Sequence, residues 1–103
     1  MTLVVGEPKT NLPLGGSLVG LRPNPEVIAR RLDNATVVVD VPTSRIFELN
    51  ETGTRVWELL GEGLDQESIV RQLVAEFDVE RIQAVDEVKT LLERLRTEGL
   101  LVG

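Results

Sequence analysis

Neither cysteine nor histidine occurs anywhere in this sequence. Their absence removes thiol and imidazole nucleophiles, the commonest general base and the usual zinc ligands, so most enzyme classes start at a disadvantage. It also excludes a disulfide framework, which fits a protein of the reducing cytoplasm. Long hydrophobic runs are missing too. Leu3, Val4 and Val5 are followed at once by Gly6, Glu7 and Pro8, with no basic region before them, so no signal peptide is read there, and no stretch reaches membrane-spanning length. A phosphate-cradling loop is absent as well, because Gly15-Gly16 lacks the Lys and helix that would follow it. Beyond the first 24 positions basic residues are outnumbered by acidic ones. Residues 25–103 carry 9 basic and 16 acidic groups, and such a surface repels phosphate backbones.

At 103 residues the chain has room for one small domain and one site. Residues 1–24 hold four of the nine Gly and three of the five Pro with only scattered apolar residues, and read as a flexible N-terminal arm. The domain is expected over 25–103. Val27–Leu32 reads as a strand, Asp33-Asn34 as a turn, and Ala35–Val41 as a β-branched strand with Val37, Val39 and Val41 on one face. Pro42-Thr43-Ser44 then turns the chain into a third strand, Arg45–Leu49. Connections this short make sequential strands neighbours in an antiparallel meander.

The stretch 46–59 marks where strand becomes helix. Phe47 and Leu49 alternate with Ile46 and Glu48, which places Phe47 and Leu49 in the core and leaves Ile46 and Glu48 outward. Asn50 fits an N-cap, and Val56, Trp57, Leu59 and Leu60 follow at helical spacing to a stop at Gly61-Glu62-Gly63. Asp65 caps a second helix, Gln66–Phe77, with Ile69, Val70, Leu73, Val74 and Phe77 inward. A third runs from about Arg81 to Glu98 and ends at Gly99, after which Leu100, Leu101 and Val102 fold back as an apolar tail. The expected class is therefore α+β, in the order β-β-β-α-α-α.

On the third helix, Ile82, Ala84, Val85, Val88, Leu91, Leu92 and Leu95 spread over half the circumference, wider than the ~100° stripe of a helix that only covers a core. Part of that surface is free to serve a ligand groove. The last strand of the meander would also present an open edge, which proteins normally cover, charge or pair.

Four segments resemble the PqqD-like proteins, or RiPP recognition elements: Phe47 through Gly53 (Phe-Glu-Leu-Asn-Glu-Thr-Gly), Val56 through Leu60 (Val-Trp-Glu-Leu-Leu), Phe77-Asp78-Val79, and Val88 through Leu101. The likeness runs from about Val27 to Val102. It implies a winged-helix-like fold whose function is to bind the leader of a ribosomally made precursor peptide and deliver it to a maturation protease or modifying enzyme. Lasso-peptide, pyrroloquinoline quinone and related pathways use such domains, which are non-catalytic and need no cofactor. In that family the leader adds as a further strand along the last strand of the sheet, in the cleft beside the third helix. The matching peptide-binding positions are Arg45, Ile46, Phe47, Glu48 and Leu49 on the strand, and Ile82, Ala84, Val85, Glu87, Val88 and Leu91 on the helix. Glu87 would meet a leader Lys or Arg. Ile82 and Val85 stand where the family often has polar residues, and Glu80 replaces a shorter acidic cap, which would deepen a pocket for an apolar leader side chain.

Two rival readings share this fold. A winged-helix nucleic-acid binder would insert its third helix into the major groove, but residues 80–98 carry five acidic and four basic groups and no basic stripe. A dimerisation module would use the exposed edge or the 1–24 arm to form a homodimer. Catalysis by carboxylates is disfavoured because Asp86 and Glu87, adjacent on a helix, diverge instead of converging on one substrate.

Overall fold

The computed structural model describes residues 20–103 together with the strand backbone of Leu3 and Val4. The expected α+β order is observed, with three short strands added. In chain order the elements are β1 (Leu3–Val4), β2 (Arg22–Pro23), β3 (Val27–Leu32), β4 (Ala35–Asp40), β5 (Arg45–Leu49), α1 (Glu51–Gly61), α2 (Gln66–Glu76), α3 (Arg81–Thr97) and β6 (Leu101–Val102).

β3, β4 and β5 form the antiparallel meander, with Ile28 opposite Val39, Val39 opposite Ile46, and Val38 opposite Phe47. Two polar residues in left-handed backbone make the tight reversals: Asp33 (φ 55°) between β3 and β4, and Ser44 (φ 59°) between β4 and β5. The inner face of the sheet is set by Thr36, Val38 and Asp40, all buried, together with Phe47 and Leu49. The face holding Val37, Val39 and Val41 therefore points away from the core, and Val41 is exposed. Three β-branched residues in alternation show that a strand exists but not which side is inward, since both faces of a twisted sheet favour them.

The helices close over the inner face. Asn50 caps α1 by accepting from Gly53 N–H at 3.0 Å, and Asp65 caps α2 by accepting from Ser68 N–H at 2.9 Å. α1 ends in a Schellman motif: Gly63 (φ 86°) donates to Leu60 O at 3.0 Å and Leu64 donates to Leu59 O at 3.1 Å. α3 ends the same way at Gly99 (φ 81°), with Leu100 N–H donating to Leu95 O at 2.9 Å. α2 stops one residue earlier than the sequence pattern suggests, because Phe77 takes up extended backbone and Val74 turns partly to solvent. Val38, Phe47, Leu49, Val56, Leu59, Ile69, Leu73, Val88, Leu92, Leu95 and Leu100 form one continuous core.

The arm expected over 1–24 is not separate from the domain at its C-terminal end. Leu21 is buried, β2 pairs with β6 (Arg22 opposite Val102, Pro23 opposite Leu101), and Asn24 donates from its backbone to Leu100 O and from its side chain to Gly99 O, each at 2.9 Å. The Schellman turn after α3 reverses the chain, and that reversal presents β6 as a partner for β2. Residues 5–19 lie outside the described residues.

Candidate functional site

β5 is the strand on which the expected site depends. On one side it is zipped to β4 over its whole length. On the other it meets β1 antiparallel, Leu3 opposite Leu49 and Val4 opposite Glu48, so the sheet order is β1-β5-β4-β3. The edge expected to be open is thus engaged over two of its five residues. Arg45, Ile46 and Phe47 have no strand partner on that side among the described residues.

The five β5 residues divide by alternation. Phe47 and Leu49 are buried in the core, as expected. Ile46 (65% exposed) and Glu48 project to the outer face, in line with Val39 and Val37 of β4. Their side chains are accessible to a peptide lying along β5, whereas Phe47 and Leu49 can contribute backbone only.

Arg45 has a different position from the one a free ligand contact would take. Its Nη1 donates to Glu98 Oε1 at 2.7 Å, its Nη2 to the Glu98 carbonyl at 2.8 Å, and its Nε to Thr43 Oγ1 at 3.2 Å. Asp40 lies 3.4 Å from Nη2, and the guanidinium sits 5.1 Å from the Phe47 ring centroid. Glu98 is buried at the C-terminal end of α3, where the helix dipole disfavours an anion, so Arg45 and the more distant Arg94 (3.8 Å) offset two unfavourable terms at once. The result is a clamp fixing the first residue of β5 to the end of α3. Sequence reasoning missed it because the partners stand 53 positions apart and neither carries a local signal.

From that clamp β5 runs back toward the first half of α3. There an open cleft of about 250 Å³ lies between the start of α1, the α2–α3 connection and α3. Leu73, Phe77, Val79 and Ala84 supply its apolar lining and Thr52, Asp78, Gln83 and Glu87 its polar part. Gln83 Nε2 donates to Glu87 Oε1 at 3.4 Å. Among the described residues its lining includes the carboxylates of Asp78 and Glu87.

The predicted helix positions separate into three sets. Ala84, Val88 and Leu91 are buried in the core, and Ala84 also lines the cleft. Glu87 reaches the cleft rim. Ile82 (84% exposed) and Val85 do not join them: at 100° per residue they stand more than a quarter-turn from Glu87 and Glu98, the positions facing the cleft and Arg45. The wide apolar arc of α3 therefore wraps past the core on the side away from the cleft. Glu80 occupies the N-cap of α3 without a side-chain hydrogen bond to the helix, so its longer side chain does not act as the cap.

Comparison with known proteins decides the family. The family model described as coenzyme PQQ synthesis protein D (PqqD) matches residues 35–101. The chain belongs to the PqqD family. Among solved structures, TbiB1 in complex with the TbiA(beta) leader peptide is 30% identical, with a TM-score of 0.76 over 80% of this chain and 95% of that one. A lasso peptide synthetase B1 complexed with the leader peptide is 24% identical, also with a TM-score of 0.76, over 82% of this chain and all of that one; it attests the shared fold. Curated proteins give no significant match. Among the described residues this PqqD-family chain has no cluster of metal-ligating side chains and no helix long and apolar enough to cross a membrane.

Proposed function

We propose that this PqqD-family chain is a non-catalytic adaptor that binds the leader of a ribosomally made precursor peptide by strand addition to β5 and presents it to a maturation protease or modifying enzyme in the cytoplasm. The observation carrying this reading is the 30% identical structure solved with a leader peptide, which spans nearly the full domain. The geometry supports it. β5 offers backbone groups on the side away from β4, Ile46 and Glu48 stand accessible along it, and the cleft with Asp78 and Glu87 opens where β5 runs into α1. Main-chain pairing would supply affinity, and the side chains and cleft would set register.

Synthetic leaders of candidate precursor peptides, labelled with fluorescein, test the proposal by fluorescence anisotropy. Ile46→Asp is expected to weaken binding by about tenfold or more while leaving the fold intact, because the residue contributes outer-face contact and no core packing. N-methylation of alternate leader residues should abolish binding by removing ladder donors. A leader that tolerates both changes would refute strand addition on β5. Salt-sensitive binding of duplex DNA by the same protein would favour the nucleic-acid reading instead.

A further inference from the structure

The pairing of β1 with β5 adds regulation to the proposed leader site. We propose that the N-terminal segment is a built-in occupant of the β5 edge, a strand from the same chain that a leader must displace in order to bind; the identity of the displacing peptide rests on the adaptor reading above, but the occupancy itself does not.

A sheet edge accepts one strand on its open side. β1 already stands opposite Glu48 and Leu49, so a peptide paired along the whole of β5 and β1 cannot be present together. The occupant has the chemistry of an added strand, an apolar Leu-Val step in antiparallel register. It is tethered: β1 ends at Val4 and the next strand, β2, begins at Arg22. Because β1 and β5 belong to one polypeptide, their pairing is intramolecular and competes with an incoming strand at any protein concentration. It is also short, with two residue pairs against the five positions that β5 offers.

These two properties together make a filter. A weak but always present competitor lowers the apparent affinity of every incoming strand by the fraction of time the edge is open. A peptide that pairs only near Glu48 and Leu49 gains no more than β1 does and is held off. A peptide that continues along Phe47, Ile46 and Arg45 makes pairings β1 does not, and displaces it.

The test uses the full chain with Val4→Cys and Glu48→Cys introduced together. The sequence contains no other cysteine, so a single bridge can form. Directly opposed residues of an antiparallel pair have Cα atoms about 4.5–5.5 Å apart, within the span a disulfide accepts. Mild oxidation is expected to give a bridged monomer on a non-reducing gel. The oxidised protein should bind the fluorescein-labelled leader at least about tenfold more weakly than the same protein after dithiothreitol, because the occupant can no longer leave. Failure to form the bridge, a bridged dimer, or a bridge that leaves leader affinity unchanged would each overturn the proposal.

A second variant, Leu3→Pro with Val4→Pro, removes the ladder donor of β1 whichever residue supplies it. It should speed hydrogen exchange at the β5 amides that face away from β4, and tighten leader binding by about three- to tenfold. Unchanged exchange overturns the proposal without reference to any leader. A leader that binds no form of the protein defeats the adaptor reading instead, and the cross-link and exchange results still decide whether β1 holds the edge.

Discussion

Replacing Arg45 by Met should cost this domain more than its partly exposed position suggests. The substitution keeps an apolar stem over Phe47 but leaves the fully buried Glu98 carboxylate, among the described residues, with Arg94 at 3.8 Å as its remaining cationic neighbour. Breaking a buried pair from one side costs about 3–5 kcal/mol, most of it the penalty of the stranded charge. The Arg45 side chain is 40% exposed, and water can reach part of the vacated space, so the lower figure of about 2–3 kcal/mol is appropriate here. For a domain of this size each kcal/mol lowers Tm by about 4–8 °C, which gives a drop of roughly 10–20 °C in a thermal melt followed by far-UV circular dichroism. The companion change Glu98→Gln removes the charge that Arg45 compensates. In the double variant the loss should therefore be smaller than the sum of the two single losses by about 1–2 kcal/mol. An Arg45→Met protein within about 0.5 kcal/mol of the wild type, or single losses that simply add, would refute the clamp.

Two further outcomes follow from surface and cleft geometry. Arg55 and Glu76 join α1 to α2 through Nε–Oε1 and Nη2–Oε2 contacts of 2.8 and 2.9 Å; the Arg55 hydrogen bond, then that from Gln72, lowers the Glu76 carboxyl below its ordinary value. A depressed carboxyl stabilises the fold above its unfolded-state pKa and loses that contribution as the pH falls through the lowered value. Glu76→Gln should accordingly cost about 0.5 kcal/mol at pH 7, and the deficit should vanish on acidification, as read from urea denaturation at a series of pH values. Ile82→Glu, on the flank of α3 away from the cleft, should leave stability within about 0.5 kcal/mol and leader affinity unchanged; a loss of affinity in the anisotropy assay would place the leader on that flank.

Local chemistry made much of this protein legible. Asn50, Asp65, Gly63 and Gly99 announce helix ends through side-chain and backbone properties that act within one turn of chain, and each is found in the role its residue type implies. The alternation from Ile46 to Leu49 is equally local, and it separated the core residues Phe47 and Leu49 from the exposed Ile46 and Glu48. On the strand, then, the sequence alone identified which side chains are exposed and which are buried. It did less well where a pattern is symmetric. The Val37–Val39–Val41 repeat is compatible with either face, and only packing against the helices put Val38 inward. The apolar arc of α3 likewise said that surface was to spare but not on which flank, because helix rotation is set by the neighbours it packs against.

What the sequence determined by itself was the order of elements, their caps and the alternating face of β5, since each depends on residues a few positions apart. Tertiary structure alone decided what surrounds that strand. Arg45 and Glu98 meet because β5 and the end of α3 are brought together, β2 finds β6 because the turn after α3 folds back, and β1 reaches β5 from the far end of the chain. Pairings across such separations depend on loop closure and on the shape of the assembled core, which no local pattern encodes.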